Sequence, residues 1–222
     1  MLTVHHLNQS RSQRILWMLE ELGVEYDIVR YQRDPKTLLA PPELRAIHPL
    51  GKAPVVTDGS HTLAESGAIL EYLVERYGEG RFVPAQGSPE YLRYRYWMHY
   101  AEGSAMPPLL LKLVAGRIAK APAPFFMKPI TRKIATSLQA GFVDPQLNLH
   151  FGYIAEELKH TGWFAGSEFT AADVQMSFPI ESGVVRAGAG VHPSIRSFLE
   201  RIRARPAYQR ALARGGDHTP LS

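Results

Sequence analysis

Along the first eighty positions the apolar residues alternate between two periods. LTVHHL (2–7) reads as a short strand, and SQRILWMLEELG then places Ile15, Leu16, Leu19 and Leu22 at helical spacing, with Gly23 as the stop. VEYDIV (24–29) returns to strand character, and the region from Pro41 to His48 reads as short helix or irregular chain. APVVTDGSHTLAE predicts a hairpin: a strand PVVT, a turn at Asp58-Gly59 and a very short partner strand. From Glu65 to Tyr77 the helical period resumes, with Ile69, Leu70 and Leu73 facing inward. Strand, helix, strand, helix, hairpin and helix in that order make a small α/β sandwich.

GEGRFVPAQGSP (78–89) breaks the alternation and marks a domain boundary, beyond which the chain reads as helical. A long helix is expected from Pro89, a residue suited to a first turn. APAPFF (121–126) interrupts it, and a second long helix covers roughly 129–160. Pro145 is expected to kink that helix, because proline lacks an amide donor and crowds the preceding turn. The division is therefore an α/β domain over residues 1–80, a linker over 81–88 and an all-α domain over 89–222. No internal repeat is visible.

Composition narrows the chemistry. With 222 residues, 45% apolar and 21% charged, the chain is long enough for two cores and has ordinary globular composition. No basic run followed by an apolar stretch opens it, so no signal peptide is expected. No window of eighteen mainly apolar residues suggests a membrane span, and a cytoplasmic location follows as the expectation. The sequence contains no cysteine, which excludes disulfides, thiolate metal sites and a cysteine nucleophile. Residues 1–80 hold 8 basic and 11 acidic side chains against 17 and 10 in the remainder. No acid falls between Glu102 and Asp144, where Lys112, Arg117, Lys120, Lys128, Arg132 and Lys133 all lie. That stretch reads as a solvated surface, a dimer rim or a surface favouring anionic ligands. No nucleic-acid motif accompanies it.

Three segments carry candidate chemistry. In NQSRSQR (8–14), Ser10 and Ser12 precede a helix and either hydroxyl would serve as a cap. Alternatively Ser10, at the positive end of that helix with Arg11 and Arg14 nearby, suits an anion. A hydroxyl so placed donates to a thiolate and lowers the thiol's pKa. That thiol must come from a substrate. In HPLGKAPVV (48–56), a cis Pro54 would turn the Ala53 backbone outward to pair with an extended peptide ligand. In LAESGAIL (63–70), Ser66 and its neighbouring amides suit a carboxylate and Glu65 an ammonium; as plain structure they are a cap and a first-turn acid.

The ordered set SRSQR, HPLGKAPVV, AESGAILEYL and FTAADV resembles the glutathione transferase family over essentially the whole chain, and is most similar to its bacterial and fungal branch. The resemblance implies a thioredoxin-like N-terminal domain, an all-helical C-terminal domain, and glutathione as co-substrate with no metal. Ser10 matches the serine that activates glutathione in serine-type classes, with Arg11 beside it; Ser12 and Asn8 remain alternatives for that role. Lys52 is similar to the residue facing the glycyl carboxylate, and Ala53 before Pro54 to the backbone partner of the cysteinyl part. Glu65 and Ser66 resemble the pair holding the γ-glutamyl end, while His48 stands where many members have asparagine and its role is open. With no tyrosine in the first loop and no cysteine, tyrosine-type activation and mixed-disulfide chemistry are disfavoured.

The implied reaction is attack of glutathione thiolate on a hydrophobic electrophile, a detoxification chemistry, or on an organic hydroperoxide. A glutathione-binding carrier, regulator or scaffold with little turnover is the alternative. The acceptor site is expected between the domains, where YWMHYAEGSAMPPLL offers Tyr100, Met106 and Leu109, with Lys112 nearby. Family members are normally homodimers; neither a nucleic-acid nor a membrane partner is expected. Thr170 and Asp173 have the spacing of a capping box, making Asp173 a folding residue, and Trp163 and Phe164 read as core.

Overall fold

The computed structural model describes residues 1–216 and 218–221; residues 217 and 222 of the expected helical domain lie outside the description. The chain opens with β1 (Leu2–Leu7), α1 (Ser12–Leu22), β2 (Asp27–Tyr31), α2 (Glu43–Ile47), β3 (Val55–Asp58), β4 (His61–Ala64) and α3 (Ser66–Tyr77). The strands form one sheet in the order β2-β1-β3-β4. β1 pairs parallel with β2 and antiparallel with β3, so Val4 lies between Ile28 and Val56. A parallel pair needs a crossover, and α1 supplies it. Ile15, Leu16, Met18 and Leu19 on α1 are fully buried, each worth about 1.5–3 kcal/mol of transfer free energy. Gly23 ends α1 in the left-handed region at φ 72°, the conformation a residue without Cβ adopts most cheaply. β2 starts at Asp27, three residues later than its sequence period suggests, because Val24–Tyr26 are spent leaving this cap.

The remaining elements are helical: α4 (Pro89–Tyr100), α5 (Met106–Lys120), α6 (Lys128–Leu138), α7 (Asp144–Thr161), α8 (Ala171–Ala187), α9 (Pro193–Arg203) and α10 (Pro206–Gly215). Ser88 caps α4 by accepting the Tyr91 amide at 3.1 Å. Two π turns, Ala101–Ala105 and Gln139–Val143, join α4 to α5 and α6 to α7. Each stands just before a proline, Pro107 and Pro145. The wider turn relieves the clash of the ring with the preceding carbonyl and absorbs the missing donor. This is the form the discontinuity expected at Pro145 takes.

α8 is the axis of the helical domain, buried from Ala171 through Gly183. Gly183 has a packing reason: a Cβ there would lie 2.0 Å from the Phe151 ring. The Thr170–Asp173 capping box forms, with Asp173 accepting the Phe164 and Thr170 amides at 2.8 Å each and the Thr170 hydroxyl at 3.1 Å. Burial pushes the Asp173 carboxyl up to about 6, against the opposing pull of those donors.

α10 returns to the first domain and packs on α1. Arg205 pairs with Glu21 at 2.5 Å, and Arg210 and Arg214 with Glu20 at 2.8 and 3.2 Å. Arg81 in the linker donates to the Leu22 carbonyl, and the Ala171 amide donates to Phe82. Among the described residues no helix is long and apolar enough to cross a membrane.

Candidate active site at the end of β1

β1 ends at Leu7, and the chain turns through Asn8 and Gln9 into α1. Gln9 holds φ 51°, a left-handed conformation that a non-glycine residue adopts at a cost. The turn brings the two serine hydroxyls together: Ser10 Oγ and Ser12 Oγ are 2.7 Å apart and both residues are buried. Neither hydroxyl caps α1 in the usual way, since the capping position falls on Arg11. Ser10 Oγ accepts the Ser12 amide at 3.2 Å. Ser12 Oγ accepts the Leu7 amide at 3.2 Å and lies 2.9 Å from His6 Nδ1.

The partners of Ser12, His6 among them, set the direction of this chain of hydroxyls. Burial holds the His6 pKa down to about 4, with a backbone hydrogen bond to Gly215 opposing the shift. The Ser12 hydroxyl has two acceptors in reach, His6 Nδ1 and the Leu7 carbonyl at 3.3 Å, and donates to one of them. Ser12 then has lone pairs for the Leu7 amide and for the Ser10 hydroxyl. The Ser10 proton is therefore the mobile one, able to swing toward a ligand while Ser12 keeps its other partners.

The same arrangement has a pH signature. Folded His6 titrates near 4 against an unfolded value of 6.5, so between these the unfolded chain binds more protons. His6 thus contributes stability that is complete above pH 6.5 and lost as pH falls toward 4, by about 3 kcal/mol. His6→Asn, whose amide oxygen replaces Nδ1 as acceptor, should flatten that part of the pH dependence. Urea unfolding at pH 7 and pH 4.5 checks this; equal losses for both proteins would refute it.

Arg11 and Arg14 do not stand free beside Ser10. Arg11 Nε contacts both Glu102 carboxylate oxygens, at 2.9 and 3.0 Å, and Arg14 pairs with Glu102 as well. Arg14 is buried, and its other nitrogen donates to the Gln175 carbonyl at 2.5 Å. Burial lowers the Arg14 pKa to about 10, opposed chiefly by Glu102. Burial also pushes the Glu102 carboxyl up, but the two arginines outweigh it and hold it below the ordinary range. The cluster ties the Ser10 turn to the first π turn and to α8, fixing one domain against the other.

On the sheet side, the Ala53–Pro54 peptide is cis and precedes β3. Lys52 is exposed, Ala53 half-buried and Pro54 buried. Glu65 holds φ 71° and ψ 120° and is exposed, while Ser66, the first residue of α3, is buried. A glutamate in that region is strained, and strain of this kind concentrates at ligand clamps. His48 closes α2 through its backbone only. Asn8 Oδ1 accepts the Arg33 amide at 2.9 Å, so its carbonyl is committed to the turn.

The three residues expected to line the acceptor site sit in the core. Leu109 is fully buried and Met106 is 5% exposed. Tyr100 turns its hydroxyl to His150 Nδ1 at 2.5 Å, within an aromatic cluster with Trp97 and Tyr153. Met106 and Leu109 are buried on the inward side of α5, while Tyr100 packs against α7 and borders a surface pocket with Tyr96, His99 and Ser104. Lys112 pairs with Asp144 at 2.6 Å, linking α5 to α7.

Sequence reasoning missed three residues that shape the turn. Glu102 lies far along the chain, and its only signal is its place as the last acid before a long basic stretch. Arg33 wraps the turn, donating to the carbonyls of Asn8, Gln9 and Leu38. His6 looked like an ordinary strand residue. Among the described residues no cluster of three or more histidines and carboxylates is placed to hold a metal ion.

Comparison with known proteins identifies the family. The glutathione S-transferase N-terminal domain model matches residues 1–75 and the C-terminal domain model residues 118–206. Glutathione S-transferase 3 of Schizosaccharomyces pombe is 37% identical over 221 residues, spanning 99% of this chain and 90% of that protein. Glutathione S-transferase 1 of Saccharomyces cerevisiae is 31% identical, spanning 92% and 91%. The crystal structure of a glutathione S-transferase from Actinobacillus pleuropneumoniae aligns with a TM-score of 0.81 at 35% identity, covering 99% of this chain and 94% of that one. A sphingomonad glutathione S-transferase solved with glutathione shares the fold at 20% identity, with a TM-score of 0.74 over 96% and 98%. With both domain models matched in order and relatives aligned over nearly the full length, the chain belongs to the glutathione S-transferase family.

Proposed function

We propose that this protein binds glutathione across Lys52, Ala53, Glu65 and Ser66, holds its thiol as thiolate at Ser10, and transfers it to hydrophobic electrophiles. Reduction of organic hydroperoxides is the second reaction of the same thiolate. The observation that carries the reading is the buried Ser10–Ser12 hydroxyl pair: with the Ser12 proton given to His6 Nδ1 or to the Leu7 carbonyl, the Ser10 proton is free to turn toward a ligand. A hydrogen bond donated to sulfur favours the charged form and lowers the thiol pKa. Holding thiolate and acceptor together in one cleft supplies the rest of the acceleration. The cis Ala53–Pro54 peptide and the strained Glu65 support the same placement of the tripeptide. A homodimer is part of the reading, supported by Leu92 and Tyr96, which stand 69% and 46% exposed along one stripe of α4.

The test is an ultraviolet titration of the bound thiolate, on protein whose sedimentation mass reports the dimer, followed by turnover on a chlorodinitrobenzene and on cumene hydroperoxide. The bound thiol should ionise about two pH units below the free thiol. Binding without that shift and without turnover would instead mark a glutathione carrier.

A further inference from the structure

We propose that the groove between the interdomain linker and the start of α8 is a second ligand site, which takes an organic cation: an aromatic or aliphatic body carrying a protonated amine. It shares no residue with the proposed glutathione site and does not depend on that reading.

The groove encloses about 530 Å³ at the junction of the two domains, a size and a place typical of small-molecule sites. Linker residues 80–85, with Ser88 and Glu90 at the start of α4, form one part of its lining. Residues 165–170, which lead into α8, form the other. Much of the lining is apolar. Phe82 and Phe169 meet edge to face with ring centroids 5.9 Å apart, and both are half-buried, as are Val83 and Pro84.

Phe82 holds φ 65°, a left-handed conformation that a bulky side chain adopts at a cost. Its carbonyl accepts the amide of Ala171, the first residue of α8, at 2.9 Å. That bond pins the strained residue to the cap of the axial helix. Backbone strain held in this way concentrates at ligand clamps.

The charges on the lining select the sign of the ligand. Glu90 comes from the start of α4 and Glu168 from the loop before α8, and both line the groove. Neither enters an ion pair among the described residues. Glu90 reaches across to the loop, since a Cβ on Gly166 would lie 3.1 Å from its Cγ. Arg81 also lines the groove, but it donates to the Gly78 carbonyl at 3.2 Å and the Leu22 carbonyl at 3.3 Å. Those carbonyls close α3 and α1, and a positive charge there offsets the helix dipoles. Arg205, stacked on Phe169, is paired with Glu21. Two carboxylates are left for the ligand. A protonated amine donates to such groups through charge-assisted hydrogen bonds, and its body would cover Phe82 and Phe169, whose rings also attract a cation.

Three compounds with one aromatic body test this: 2-naphthylmethylamine, protonated at pH 7, its neutral isostere 2-naphthylmethanol, and the anion 2-naphthoate. Titration calorimetry on the full chain should show the ammonium bound at least about tenfold more tightly than either twin, with and without saturating glutathione. Glu90→Gln combined with Glu168→Gln, both at exposed positions, should weaken the ammonium about tenfold and the twins less than about twofold. Each single variant should weaken it about threefold, which keeps the test decisive if the double variant folds poorly. The amide resonances of Phe82, Val83 and Phe169 should shift on adding the ammonium. Absence of ammonium binding, equal affinity for the three compounds, or a Kd indifferent to the glutamate variants would overturn the proposal. Displacement of the ammonium by glutathione would overturn it too, by placing the amine in the Ser10 cleft. Ammonium binding that meets these expectations in a protein that fails to bind glutathione would uphold the groove and defeat the transferase reading alone.

Discussion

Ser10→Ala should lower glutathione-dependent turnover about a hundredfold while the KM for glutathione changes less than about threefold. The size is that of removing one preorganised donor aimed at developing or resident negative charge. The split follows because the tripeptide would be held mainly by Lys52, Ala53, Glu65 and Ser66, and Ser10 would act on the sulfur. The variant should fold, because Ser10 Oγ accepts only the Ser12 amide at a long 3.2 Å and otherwise pairs with a hydroxyl that has other partners. Ser12→Ala should behave differently. It strands the buried Leu7 amide and His6 Nδ1, so the loss appears in stability, by about 2–3 kcal/mol, as well as in rate. Steady-state kinetics alongside urea unfolding of both variants separates the roles. An unchanged rate in Ser10→Ala would move thiol activation to Ser12, Asn8 or the backbone amides.

Asp173→Ala should destabilise the protein by about 3–5 kcal/mol without touching the glutathione site. The carboxylate is fully buried and accepts from the Phe164 amide, the Thr170 amide and the Thr170 hydroxyl. Removing it leaves two backbone donors in the core with no partner, each costing about 1–3 kcal/mol, and undoes the cap of the axial helix. In a chain of this size that loss corresponds to a midpoint lowered by about 6–20 °C. Thermal unfolding monitored by circular dichroism reads it directly. Asp173→Asn, which keeps one acceptor oxygen, should lose about half as much; a loss under 1 kcal/mol in the alanine variant would show that solvent reaches the vacated donors.

Much of the architecture is legible locally. The change from period two to period 3.6 marks β1, α1, the β3–β4 hairpin and α3 because a half-buried strand and an amphipathic helix expose different faces. Proline at the start of α4 and glycine after α1 are signals of backbone geometry, readable without any partner. The Thr170–Asp173 box is legible for the same reason, since donor and acceptor are three residues apart. The proline effect at Pro145 was readable as a discontinuity, but not as a π turn.

The candidate site divides along the same line. The Ser10–Ser12 pair, the cis Ala53–Pro54 peptide and the Glu65–Ser66 junction each lie within a few neighbouring residues, and the one-dimensional order contains them. Glu102 on Arg11 and Arg14, Arg33 around the turn, and α10 closing on α1 join positions distant along the chain. The acceptor wall is the clearest case. Helical spacing identifies the residues that share a face with Tyr100, or with Met106 and Leu109, but not whether that face meets another helix or a substrate. Local order is set by sterics and hydrogen bonds spanning a few residues, which the sequence records directly. Which apolar face is covered, and which charges end up facing one another, depends on how the domains pack, and only the folded molecule specifies that.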